Sequence, residues 1–139
     1  MAILIVMSGT LNMADGMVGE TAIGIAEAKV ALPAMESFIR EILCNALVCL
    51  AVWLCFTARS VTDKILAIVF PVTAFVALGF EHSIANAYLI PVGFLAGATN
   101  ISFVSFAESM LFVTLGNVVG GSLFVGLIYW VIYGRHAPK

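Results

Sequence analysis

Phe75-Val-Ala-Leu-Gly-Phe-Glu-His-Ser-Ile-Ala-Asn86 is the stretch on which the fold turns. It lies inside an otherwise apolar run from Ile65 to Phe94, and midway along that run Glu81 and His82 stand side by side. An ionisable group at bilayer depth is costly, so such groups line a pathway or hold a partner. The run of about 30 residues would be ~45 Å long as one helix, against a hydrocarbon core of ~30 Å. Gly79 sits just ahead of the charged pair, with Pro71 and Pro91 further out. A broken helix accounts for the excess length, the breakers and the buried charge together. Unwound backbone at that depth is tolerated only where it is packed in protein or lines a cavity. The stretch is therefore read as a discontinuous transmembrane helix with a polar centre, a design used for midplane transport sites.

The composition around it agrees. The 139 residues are 63% hydrophobic and only 10% charged, with a mean hydropathy of +1.14. Soluble domains carry roughly 25% charged residues, so an all-α integral membrane protein is expected. A net charge of -2 excludes nucleic acid as a partner; the lipid bilayer is the expected one. Cys44, Cys49 and Cys55 fall within one expected membrane helix without CxxC spacing and read as inert thiols. Paired aspartates, HExxH, Gly-x-Ser-x-Gly and metal-ligand clusters are all absent from the sequence. Neither an enzyme nor a cofactor or metal site is expected.

Outward from the central stretch, Met1 to Met7 is apolar but too short to span, and reads as the last two turns of a preceding helix. On that reading the chain is a truncated or split product. Residues 8–32 are polar and rich in small residues, and are expected as an outer loop with room for a short surface helix around Glu20 to Ala28. Pro33 suits a helix start, and residues 34–56 form the first expected crossing, its apolar part beginning near Ile42, after Glu36, Arg40 and Glu41. Thr57 to Lys64 is a polar link, residues 65–94 the broken helix, and residues 106–133 the last crossing. Three crossings with a broken middle helix result.

Two asparagines lie inside the outer two crossings. Asn45 and Asn117 are buried amides that need partners; they serve either as glue between helices or as pore lining. Gly116 and Gly120, like Ser122 and Gly126, are four apart and offer small faces for close packing. Gly120→Leu is accordingly expected to disturb assembly. Tyr129, Trp130 and Tyr133 form an interfacial belt. Asn100-Ile-Ser102 matches a glycosylation triplet. Arg59 and Lys64 share a side with Arg135 and Lys139, and the positive-inside rule places that side, with the C-terminus, in the cytoplasm.

The segment Ile42-Leu-Cys-Asn-Ala-Leu-Val-Cys-Leu-Ala-Val-Trp53, then Gly79-Phe-Glu-His-Ser-Ile-Ala-Asn86, then Thr114-Leu-Gly-Asn117 with Gly120-Gly121, resembles the formate/nitrite transporter family. The ending Tyr129-Trp-Val-Ile-Tyr133 is similar to its formate-channel branch. The resemblance implies one of two inverted three-helix repeats of an aquaporin-like six-helix fold, assembled as homopentamers with a pore in each protomer of the inner membrane. It identifies His82 with the central pore histidine and Phe75 with a constriction aromatic. Lys29 matches the vestibule lysine, Asn45 and Asn117 the pore-facing asparagines, and Glu81 the acidic neighbour of the histidine.

These residues support a mechanism for formate and similar small monovalent anions. An anion drawn toward a positive vestibule meets an apolar constriction at Phe75, where desolvation is costly. A proton taken near the midplane cancels its charge. His82, at the N-terminal end of the half-helix after the break, is placed to supply that proton or to hold the anion. Nitrite or hydrosulfide is the alternative within the same family, and a non-conducting half-protein or accessory membrane subunit is the alternative outside that function.

Overall fold

The computed structural model describes residues 1–134, apart from the side chain of Phe124. Every regular element is helical, with no strand among the described residues. In chain order they are α1 (Ala2–Met7), a 3-10 turn (Thr10–Asn12), α2 (Met17–Val30), α3 (Ala34–Thr57), α4 (Val61–Ala77), α5 (Ser83–Ala96) and α6 (Phe103–Val119). The last of these continues through a π-helical stretch (Gly120–Leu127) into α7 (Ile128–Tyr133). Among the described residues two helices are long and apolar enough to cross a membrane, Ala34–Thr57 with 24 residues and Phe103–Tyr133 with 31. At 17 and 14 residues, α4 and α5 are each shorter than the ~20 residues of a full crossing. Arg135 and Lys139, on which part of the expected orientation rests, lie outside the described residues.

The chain divides into two compact units. One joins Met1–Ser37 to Ser83–Val113; the other joins Phe38–His82 to the chain from Thr114 onward. In the first, α2 lies along α5. Ala26, Ile90, Ala98 and Ile101 form its buried centre, with Ile23, Val30 and Phe106 packed around them. A Cβ on Gly93 would overlap the Cβ of Ala26 and fall 2.8 Å from the Ala22 carbonyl oxygen, so only glycine admits this approach. Within residues 8–32, where a short helix was expected around Glu20 to Ala28, α2 runs longer, from Met17 to Val30, and buries Gly19 and Ala26. Small residues hid its length: they carry no broad apolar stripe, yet they are what lets α2 lie close to α5.

In the second unit α3 packs along the end of α6 and the π-helical stretch. A Cβ on Gly116 would sit 2.5 Å from the Phe38 carbonyl oxygen, and one on Gly120 would sit 2.8 Å from that of Ile42. The expected small face therefore exists at Gly116 and Gly120, but its partner is a helix of the same chain. Ser122 and Gly126 do not extend it. Both are exposed, Ser122 Oγ donates to the Val118 carbonyl, and Gly126 meets only the Gly121 carbonyl of its own helix.

The π-helical stretch begins where side chains serve the helix's carbonyls. Asn45 Nδ2 donates to the Asn117 carbonyl, and Ser122 Oγ to that of Val118, one residue on. Side-chain donors inserted into the ladder and a Gly120-Gly121-Ser122 sequence both favour the wider i→i+5 turn. Beyond it, Trp53 packs edge-on against Tyr129 at 5.6 Å and Tyr133 at 6.2 Å between ring centres, with the two tyrosines 4.8 Å apart. The belt residues Tyr129 and Tyr133 are thus anchored on α3.

The polar link before α4 is more ordered than its composition suggests. Ser60 Oγ accepts from the Asp63 amide at 3.1 Å, and the Asp63 carboxylate accepts from the Ser60 amide at 3.0 Å. This reciprocal cap satisfies two of the helix's first N–H groups. It also holds the Asp63 carboxyl below its ordinary value, the Ser60 side chain being the larger cause and the Ser60 backbone the next.

Candidate functional site

The break in the central apolar run is built from one backbone feature. Leu78 closes α4, and Gly79 then takes the left-handed conformation at φ +65°. The Phe80 amide reaches back to the Phe75 carbonyl at 3.0 Å and the Gly79 amide to that of Val76 at 3.1 Å. That pattern ends a helix with its last carbonyls satisfied, and it needs a residue without a Cβ penalty at the turn. Phe80, Glu81 and His82 follow outside any helix, and α5 starts at Ser83. Pro71 and Pro91, counted among the breakers from sequence, lie inside α4 and α5, which run through them. The break belongs to Gly79.

Arg40 of α3 supports the turn from the side. Its Nη1 donates to the Gly79 carbonyl oxygen at 3.0 Å, so a cation stands at the carbonyl the left-handed turn turns outward. The turn in turn sets two rings together: Phe75, in the last turns of α4, and His82, immediately after the break, have centres 5.7 Å apart and planes tilted by 48°. Glu81, between Phe80 and His82, is buried with 5% exposure. An aromatic wall, a titratable imidazole and a buried carboxylate are therefore gathered at one helix junction.

A second polar group lies on the α3–α6 seam. Asn45 Nδ2 donates to the Asn117 carbonyl oxygen and lies 3.4 Å from Asn117 Oδ1; Cys49 Sγ donates to Asn45 Oδ1 at 3.6 Å. Asn117 Nδ2 donates to Glu41 Oε1 at 2.8 Å. Both asparagines are half-buried, while Glu41 is completely buried. Of the six residues singled out from sequence, Phe75 and His82 are brought together, as are Asn45 and Asn117. Glu81 neighbours His82 in the chain, and Lys29 lies in the last turn of α2, in the other unit.

Two residues were missed. Glu41 and Arg40 read as interfacial charges ahead of the first crossing, whereas Glu41 belongs to the seam and Arg40 to the break. The signal for Glu41 was its spacing: 41, 45 and 49 fall on one face of α3, opposite the Gly116–Asn117 position that makes room for it. Asn100, the glycosylation candidate, uses its amide to donate to Glu27 Oε1 at 3.2 Å.

These features define an all-helical protein with two membrane-length helices and a polar junction at an interrupted helix. The chain belongs to the formate/nitrite transporter family, whose sequence profile matches residues 1–131. It is 38% identical to the formate channel FocA of Escherichia coli K12, over 96% of this chain and 53% of that protein. It is 44% identical to the transporter YrhG of Bacillus subtilis 168, over 84% of this chain and 43% of that one. Its fold matches a solved pentameric formate channel with formate bound at a TM-score of 0.88 and 35% identity, covering 95% of this chain and 59% of the other. The chain spans about half the length of the curated relatives it matches.

Proposed function

We propose that the chain forms a transmembrane pathway for formate and related small monovalent anions. The observation that carries this reading is the Phe75–His82 ring pair at the Gly79 break, in a family whose relatives are named formate channels. In this reading α3, α4 with α5, and the helix from Phe103 to Tyr133 make three crossings, one repeat of the aquaporin-like fold, in homopentamers of the inner membrane with the Arg59 link in the cytoplasm. Lys29 draws anions in. Phe75 narrows the path, so that a charged permeant must shed water there, and His82 with Glu81 beside it supplies or holds the proton that removes the charge. Asn45 and Asn117 give the path polar edges. Because the family's name includes nitrite, nitrite is the second permeant to test, with hydrosulfide a third of similar size and charge.

The test is formate flux into proteoliposomes over pH 5 to 8, the range in which an imidazole changes charge. The chain is measured alone and with a co-expressed first-repeat partner, since it spans about half the length of its relatives. His82→Phe removes both polarity and proton, and flux should fall steeply. His82→Asn keeps polarity without titrating, and should conduct while losing the pH response. Parent-like transport by both variants at every pH would make His82 a structural residue. Flux only with the partner present would make this chain a subunit rather than a complete pathway.

A further inference from the structure

We infer that Glu41 is a positioning residue that fixes the direction of the amides on the α3–α6 seam, and through them the preference of the path for small anions. The inference rests on the transport reading above and on four hydrogen bonds. Their donors all point one way. The Cys49 thiol donates to Asn45 Oδ1, Asn45 Nδ2 donates to Asn117, and Asn117 Nδ2 donates to Glu41 Oε1. A side-chain amide is nearly symmetric in shape, and which edge carries the N–H groups is decided by its partners. Amides in the middle of a chain inherit their direction from its ends. One end here is a thiol, a weak donor; at the other, Glu41 Oε1 accepts from Asn117 Nδ2 at 2.8 Å. Glu41 is therefore the group that orients Asn117 with its NH2 toward α3 and leaves Asn45 to donate to α6.

The site is built for this side chain. Glu41 has 0% exposure, and the space its stem fills is the space Gly116 leaves: a Cβ there would lie 2.8 Å from Glu41 Cβ and 3.2 Å from its Cγ. Asn117 follows Gly116 directly, so the residue that makes room for the carboxylate is next to the one the carboxylate holds. The consequence is chemical. These bonds hold the amide N–H groups within the seam, and the direction of an amide decides whether its donor or its acceptor edge lies toward a permeant, so fixing both amides fixes the lining that an anion meets. Asn117 and Asn45 supply the contact; Glu41 supplies the orientation.

Two substitutions separate this role from packing. Glu41→Gln retains an acceptor oxygen for Asn117 Nδ2, whereas Glu41→Leu fills the volume and offers no acceptor. The chain is labelled with 15N-asparagine, placed in lipid nanodiscs, and the Asn117 side-chain amide is followed by hydrogen exchange. In proteoliposomes the flux ratio of formate to acetate is measured for each variant. Glu41→Leu should speed exchange of the Asn117 amide about fivefold or more, the factor expected for one lost net hydrogen bond of ~1 kcal/mol, and should lower the formate-to-acetate ratio with folding intact. Glu41→Gln should keep both within about twofold of the parent, within the scatter of such contributions. An Asn117 amide and a flux ratio unchanged in Glu41→Leu would overturn the inference, as would Glu41→Gln behaving like Glu41→Leu. If the parent carries no formate even with the co-expressed first-repeat partner, the transport reading fails while the exchange measurement still decides whether Glu41 orients Asn117.

Discussion

Gly116→Ala adds a single methyl group to the most crowded point of the α3–α6 seam. That methyl would lie 2.5 Å from the Phe38 carbonyl oxygen and 2.8 Å from Glu41 Cβ. Ordinary carbon contacts are ~3.5–4.0 Å, so the two helices must part by about 1 Å. Neither neighbour is the far end of a flexible chain, so the strain cannot be relieved by a rotamer change. Overpacking of this kind costs ~1–3 kcal/mol. A shift of that size also lengthens the 2.8 Å bond from Asn117 Nδ2 to Glu41 beyond useful range, and a net hydrogen bond contributes ~0.5–1.5 kcal/mol. Against this, alanine is favoured over glycine in a helix by ~1 kcal/mol. The net expectation is a loss of about 2 kcal/mol, with the overpacking term deciding the sign.

Gly24→Ala is the matched control. Gly24 lies within α2 and a Cβ there meets nothing within 4 Å, so the propensity gain stands alone and the variant should be neutral or up to ~1 kcal/mol more stable. Both variants are compared with the parent by reversible unfolding in mixed micelles, or by steric trapping in bicelles, at fixed detergent and lipid. If Gly116→Ala is as stable as the parent while Gly24→Ala behaves as expected, the seam is looser than described and the reasoning fails.

Gly79→Ala should destabilise by ~1 kcal/mol, because the left-handed turn at φ +65° penalises a Cβ; increased protease cleavage near residue 79 reports it, and unchanged cleavage with unchanged stability would count against the turn as the source of the break. Asp63→Asn should flatten the acid side of the stability profile. The Asp63 carboxyl is held below 3.8 in the folded chain, so its contribution is fully present above that value and fades as pH falls through the lower folded one. A parent and variant that respond identically to acid below pH ~4 would remove that role.

The break was legible because three independent signals coincide within four residues: Gly79, and the charged pair Glu81 and His82 in an apolar run too long for one crossing. Pro71 and Pro91 misled for a physical reason. A proline inside a helix forfeits one hydrogen bond but does not force the left-handed turn that ends one, and α4 and α5 absorb that loss. The partner of Gly116 and Gly120 could not be read at all, since a small face is equally suited to a helix of the same chain or of another. Lys29, Asn45 and Asn117 were locatable by resemblance, whereas Glu41 was not: a charge at a helix start reads as interfacial, and only the depth of the seam shows that it is enclosed. The full length of α2 was hidden because its small residues stand where an apolar stripe would announce it.

The π-helical stretch sets how the last helix can vary. Along the last helix the positions facing α3 are Gly116, Asn117, Gly120 and Gly121, then Val125, beside Cys49 and Trp53, then Tyr129 and Tyr133. The stretch lies between the glycine contact and the aromatic contact with the same partner helix. Removing one residue between 121 and 124 would leave the glycine seam as it is but turn Tyr129 and Tyr133 by about 100°, off Trp53. Length changes here alter phase before they alter reach, so natural variants of this segment should gain or lose their aromatic partner on α3 together with the residue.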